Sequence, residues 1–291
     1  MVELGGIMEK HAEQPSHSQK KPGWSLDARD VEFIKSLMPI WGFLYDYYFR
    51  VKTSGWENVP TNEKVLFVGS HNGGLASPDM QMMMYDWFRR FGVERPVYGL
   101  MHPKVAEVSP EVAELAAKVG AITAHPKMAI AAFRSGASVL VYPGGIQDVF
   151  RLHSLRDKIY FHNRHAFIKL ALREQVPIVP AISWGAHDTL IVLADLHKII
   201  QKIHSLGIPW LFNVDPEVFP VYLGLPWGIG IGPLPNIPFP VQIYTRICPP
   251  IIFERYGREA AGDAAYVDAC YQIVVSKMQQ ELDELIEGSR E

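Results

Sequence analysis

Charge of one sign, cysteine and long apolar runs are all scarce in this sequence, and each shortage removes a class of function. Lys and Arg number 28 against 31 Asp and Glu, a net charge of −3 over 291 residues, so the chain carries no basic footprint for nucleic acid. Cys248 and Cys270 are the only cysteines. They lie too far apart for a paired metal spacing and are too few for a disulfide framework, which points to a reducing compartment. Unbroken apolar segments are short as well. Ser36–Phe49 is apolar and aromatic but carries Pro39 and Asp46, and Val218–Thr245, although free of charged side chains, holds six prolines and four glycines. Neither reads as a membrane-spanning helix. Met1–Ser25 is polar and mixed in charge where a secretory leader would be apolar, so no leader is expected.

What is present fits a large globular domain. A hydrophobic content of 48% is enough to bury the core of one large domain. Disorder is expected only in a tail over residues 1–25, followed by an amphipathic helix over 26–50, a main domain over 51–254 and a closing helix within 255–291 packed on that domain. Short β-branched and aromatic runs alternate with helical stretches. The strands are Phe49–Thr53, Val65–Gly69, Val97–Met101, Ala121–Ala124, Ser138–Tyr142, Val176–Ser183 and a last one at Val241–Thr245; the helices include Pro78–Phe91, Pro110–Val119, Lys127–Ser135 and His165–Arg173. This alternation predicts an α/β fold with a mostly parallel mixed sheet flanked by helices. Val267, Cys270, Val274, Met278, Leu282 and Leu285 form one stripe of the closing helix, as core packing requires. Val218–Thr245 is expected to form buried loops and sheet edges. The competing reading is peripheral contact of that segment and of Ser36–Phe49 with a membrane.

The chemistry concentrates at His71-Asn-Gly-Gly-Leu-Ala-Ser-Pro-Asp79. The loop leaves a buried strand and ends at Ser77-Pro78, a pair suited to the N-cap and first position of a helix. His71 is thereby placed at the carboxyl end of a strand, where open α/β sheets hold their ligands, and Gly73-Gly74 leave backbone free for positive φ or for close approach to a substrate. An imidazole suits the removal of a proton from an attacking nucleophile, and Asp79 on its other nitrogen would fix the tautomer. Backbone amides near Gly73-Gly74 or Gly144-Gly145 are candidate oxyanion donors. Plainer readings stand beside these. Asp79 lies in a first helical turn, where a carboxylate is favourable for structural reasons alone; Pro143-Gly144-Gly145 suits a simple turn; and Asp148 and Arg151 are spaced as a solvated helical ion pair.

Three motifs in order, His71…Asp79, Tyr142-Pro-Gly-Gly-Ile-Gln-Asp148 and Val176-Pro-Ile-Val-Pro-Ala-Ile-Ser183, resemble the glycerolipid (lysophospholipid) acyltransferase superfamily over about Trp56–Phe253. Arg164-His-Ala-Phe167 is similar to a stretch of the diacylglycerol-acyltransferase-like branch, with Ala166 in place of a glycine. The resemblance implies a glycerol-phosphate-acyltransferase-like fold and transfer of a fatty acyl group from acyl-CoA or an acyl carrier protein to a lipid alcohol at a membrane surface. It implies His71 and Asp79 as the catalytic pair, no metal or other cofactor, and peripheral attachment on the cytoplasmic side. Asn72, Gly73, Gly74, Pro143, Gly144, Gly145, Asp148, Arg151 and Arg164 are the candidate substrate contacts. Two departures matter. The shorter His–Asp spacing of the phosphate-accepting branch would put the carboxylate at Ala76, and the glutamate and arginine of that branch's proline-glycine loop are missing. A phosphorylated acceptor would then need Arg151 or Arg164, so an acceptor with little or no negative charge is favoured, with a lysophosphatidate-type acceptor and a non-catalytic lipid-binding protein as alternatives. His153, His162 and His165 have a spacing that suggests zinc but lack a matching further ligand. His187-Asp188 is read as surface capping, although His187 could compete with His71 as a base.

Overall fold

The computed structural model describes residues 21–61, 63–210 and 215–289. Most of the expected tail lies outside these residues, but its end is ordered: Gly23 O accepts from Thr123 N at 2.9 Å and Trp24 packs on His125. Helix α1 (Val31–Phe43) contains Pro39 and runs into a π-helical turn, Leu44–Tyr48, before β1 (Lys52–Ser54). β2 (Leu66–Gly69) passes through the His71 loop into α2 (Pro78–Phe91). Next come β3 (Val97–Met101), α3 (Pro103–Val108), α4 (Pro110–Lys118), β4 (Ala121–Thr123), α5 (Pro126–Arg134) and β5 (Ser138–Val141). α6 (Gly145–Val149) and α7 (Ala166–Glu174) lead to β6 (Ile178–Trp184), and then to β7 (Ile191–Asp195), α8 (His197–Ser205), β8 (Pro220–Gly224) and β9 (Gly228–Ile231). β10 (Tyr244–Ile247), α9 (Arg258–Gly262) and α10 (Ala264–Ser289) close the described chain.

The main sheet has seven strands in the order β1-β10-β6-β2-β5-β3-β4. From β6 to β4 all neighbours are parallel, and β10 turns the sheet mixed by pairing antiparallel to β6. The fold is therefore the α/β arrangement expected. Every residue of β2 is buried, as befits a central strand covered on both faces. Its side chains alternate between two cores. Leu66 and Val68 face α5, α7 and α10, whereas Val65 and Phe67 face α1 and α2. The α10 stripe from Val267 to Leu285 is buried against the first core.

This division also locates the site. The crossover after β2 runs through α2 on one face, and the crossover after β5 runs through α7 on the other. The connections thus diverge between adjacent strands β2 and β5, which opens a crevice at their carboxyl ends.

Val218–Thr245 departs from expectation. Instead of buried loops it supplies β8 and β9, which with β7 make a separate three-stranded antiparallel sheet. Leu223, Ile229 and Ile231 on it are exposed. Among the described residues no helix is long and apolar enough to cross a membrane.

Candidate active site

The loop after β2 winds tightly. Gly73, Gly74 and Ser77 all have positive φ, at 84°, 71° and 44°, and Gly74–Ala76 form a 3-10 turn. The winding absorbs the extra residues between His71 and Asp79 and still brings the two together. Ser77 occupies the N-cap position of α2, but its hydroxyl donates to Gly74 O at 3.2 Å instead of capping the helix. It thus stabilises the loop, offsetting part of the cost of a non-glycine residue in left-handed conformation, about 1–2 kcal/mol.

His71 Nδ1 lies 3.1 Å from Asp79 Oδ2 and 3.3 Å from Oδ1. The carboxylate is 1% exposed and the imidazole 14%. An ionised carboxylate only accepts hydrogen bonds, so the proton sits on Nδ1 and the lone pair on Nε2. Among the described residues Nε2 has no hydrogen-bond partner, and it is not among the buried unpaired atoms, so it is open on that side. Asp79 also lies in the first turn of a 14-residue helix. The dipole therefore favours the same ionised form that the imidazole needs.

A residue that the sequence does not single out fixes the plane of the ring. Tyr142, at the end of β5, stacks on His71 with centroids 4.2 Å apart and planes 22° from parallel. Burial, reinforced by the Asp79 charge, pushes the Tyr142 phenol well above its ordinary range. It stays neutral and acts as a flat wall. Gly69 makes room for it, since a Cβ there would lie 2.3 Å from Tyr142 Cε1.

Asp148 and Arg151 form neither a solvated helical pair nor an accessible substrate contact. They are 0% and 8% exposed and ion-paired to each other. Asp148 Oδ2 accepts from His71 N at 3.0 Å and from Ser70 Oγ at 3.2 Å, and Arg151 donates to Ser70 Oγ at 3.0 Å and to Lys158 O. Burial lowers the Arg151 pKa to about 10, which leaves it cationic at neutral pH. The pair clamps the backbone that carries the imidazole. Gly144 is needed beside it, because a Cβ would fall 2.3 Å from Asp148 Cγ.

The other candidates separate. Asn72 is buried and donates to Ser70 O at 3.1 Å, bracing the loop internally. The close approach permitted by Gly73 and Gly74 is taken up by protein: added Cβ atoms would meet Thr189 and Pro78, or Asn236 and Leu190. Gly145 N donates to Tyr142 O at 3.2 Å and is committed to its turn, which removes it as an oxyanion donor. Arg164 donates to Pro143 O and Gly144 O at 3.2 and 3.1 Å and lies 4.0 Å from Glu217, with its side chain 37% exposed. Of the two candidate arginines it is the one at the surface of the proline-glycine turn. His187 is buried, not a surface cap, with Nε2 unpartnered. Burial, followed by the Arg151 charge, holds its pKa well below the usual imidazole range.

His153 pairs with Asp188 and His165 with Asp268, while His162 packs on Tyr160, so the three lie in separate settings. Among the described residues no group of three or more His, Cys, Asp or Glu side chains is placed to hold a metal. Met82 and Met83 are core filler beneath α2. Grooves of about 550 and 460 Å³ run along α10, the larger lined by Gln279, Gln280, Asp283, Glu284 and Glu287 among others. Neither groove is lined by His71, Asp79 or Tyr142.

Residues 50–184 match the family model described as Acyltransferase. Uncharacterized proteins of Mycobacterium tuberculosis and Mycobacterium leprae are each 26% identical to the chain over 87% of its length. The chain spans 66% and 65% of those relatives. The 1-acyl-sn-glycerophosphate (LPA) acyltransferase PlsC of Thermotoga maritima is similar at a TM-score of 0.48 and 14% identity, over 86% of this chain and 79% of that one. The matched segment runs from the β1 edge to the end of β6 and includes the His71–Asp79 pair, Tyr142 and the clamp beneath them.

Proposed function

We propose that the protein is an O-acyltransferase that moves a fatty acyl group from a thioester, acyl-CoA or an acyl carrier protein, to the hydroxyl of a glycerolipid or related lipid alcohol. The observation that carries this reading is the imidazole held at Nδ1 by a buried carboxylate, with Nε2 open at the strand ends. Nε2 takes the proton of the alcohol as its oxygen attacks the thioester carbonyl. The C–S bond then breaks, and the departing thiolate recovers that proton. Asp79 stabilises the imidazolium between the two steps.

The acceptor carries little or no negative charge in this reading. Arg151 is consumed by Asp148, and Arg164 is already engaged by two carbonyls with Glu217 nearby. A phosphate dianion would have to compete for it. The partial exposure of Arg164 supports the second reading, a lysophosphatidate-type acceptor. Purified protein incubated with acyl-CoA and either a monoacylglycerol or lysophosphatidate, with thiol release and ester product followed together, tests both. His71→Ala is expected to lower turnover by about 10²–10⁴, and Asp79→Asn to lower it substantially by favouring the wrong tautomer. Equal product from wild type and His71→Ala would refute the assignment of His71 as the base, and no product from either would leave a lipid-binding protein of the same fold. A strong preference for lysophosphatidate would overturn the neutral-acceptor reading.

A further inference from the structure

The sheet of β7, β8 and β9 has two unlike faces. One packs Val192 and Tyr222 with Val149, Phe150, Leu190 and Val218 into a small core. On the other, Leu223 and Val221 stand directly opposite Ile229 and Ile231, with Leu193 exposed on β7. An antiparallel sheet with one face on a core ordinarily turns polar side chains to water. Here the outward row is aliphatic: Ile229 is 69% exposed and Leu193 60%. Trp227 extends it at the hairpin turn, and Val218–Thr245 contains no charged side chain. Such a contiguous patch marks an interaction site.

Charge indicates what covers it. α8 continues directly from β7, with Leu196 N donating to Phe219 O at the start of β8 at 2.8 Å. Residues 196–214 include no Asp or Glu. Lys198 and Lys202, one turn apart, are exposed and in no ion pair among the described residues, and Ile199, Ile203, Leu206 and Ile208 are exposed with them. Bare aliphatic side chains interspersed with lysines fit the boundary of an anionic bilayer, where acyl chains meet the former and headgroup phosphates the latter. The lobe is also joined to the catalytic loop. Asn236, just beyond β9, donates to Gly73 O at 3.4 Å, and its side chain lies with Leu190 where a Cβ on Gly74 would stand.

We infer that the outer face of β7–β9 together with α8 docks the protein on an anionic lipid surface. The purpose assigned to this docking, presenting the His71 loop to membrane-held lipid, rests on the function proposed above; the docking itself does not. The full chain is co-sedimented with vesicles of phosphatidylcholine alone or with added phosphatidylglycerol. Wild type is expected to bind the anionic vesicles, less in high salt. Ile229→Asp/Ile231→Asp and Lys198→Glu/Lys202→Glu should each weaken that binding roughly tenfold or more while melting as wild type does, because all four positions are exposed. Unchanged binding by both variants overturns the inference, as does failure of the wild type to bind. So does a wild-type dimer in light scattering that Ile229→Asp/Ile231→Asp dissociates, or binding abolished by Phe43→Asp on α1 and untouched by the lobe variants. Vesicle binding without acyl transfer would refute the proposed function and leave the docking intact; turnover of a water-soluble acceptor without vesicle binding would do the reverse.

Discussion

Replacing Gly69 by alanine adds one methyl group at the end of β2, and its effect is expected to be felt at His71. Gly69 is not among the residues with positive φ, so alanine meets no backbone penalty; in a strand it is favoured over glycine by roughly 0.5–1 kcal/mol. The conflict is steric. The new Cβ would lie 2.3 Å from Tyr142 Cε1, 2.8 Å from Cδ1 and 2.9 Å from Cζ, where carbon atoms settle at about 3.5–4.0 Å. The ring must retreat by on the order of 1 Å. It is partly buried against the second core and stacked 4.2 Å from the imidazole, so the displacement passes to His71 or to the strand. Overpacking of this kind costs about 1–3 kcal/mol of stability, and a misplacement of about 1 Å at a reacting group costs roughly 100-fold in rate. Urea denaturation should show the first, and steady-state acyl transfer should show the second in kcat, with KM little changed. Gly69→Ala combined with Tyr142→Leu should recover stability, since the overlap is relieved, without recovering turnover, since the flat wall is gone. A folded Gly69→Ala protein with wild-type kcat would refute the role given to the stack.

Asp148→Asn keeps an acceptor for His71 N but leaves the buried Arg151 cation uncompensated, and a loss of about 3–5 kcal/mol is expected by urea denaturation; a loss below about 1 kcal/mol would show that the pair is not a clamp. His187 gives a pH signature. Its folded pKa is depressed well below the ordinary imidazole value, so below about pH 6.5 the unfolded chain takes up a proton that the folded one refuses, and stability falls with falling pH. His187→Leu should flatten this part of the difference between urea midpoints at pH 7 and pH 5, and an unchanged difference would contradict the assignment.

The main sheet was readable because its strands are short apolar runs bounded by turn residues and its helices carry clean stripes. Val97–Met101 and Pro78–Phe91 fall where the pattern puts them, and the α10 stripe is buried as its spacing requires. The β7–β9 lobe was hidden for a physical reason. Strand signals depend on alternation of apolar and polar side chains, and a sheet aliphatic on its open face has none, while its turns supply the prolines and glycines that suggest loops. At the site, the His71–Asp79 pair was legible because both residues flank one strand-to-helix connection. The clamp was not. Asp148 and Arg151 have the spacing of a surface pair, and only the adjacency of β5 to β2 buries them against Ser70 and His71. Tyr142 was quoted as part of a motif, yet its stacking on the imidazole is a property of two neighbouring strand ends.

The divergence of the two crossovers has a consequence for how the reaction centre comes into being. His71 arrives on the connection that departs through α2, and the Tyr142 wall and the Asp148–Arg151 clamp arrive on the one that departs through α7; they meet only because Val68 of β2 is in register with Val141 of β5. Neither connection holds the whole arrangement. It therefore comes together only when that central pairing forms, and partly folded chains already containing both helices would still lack it.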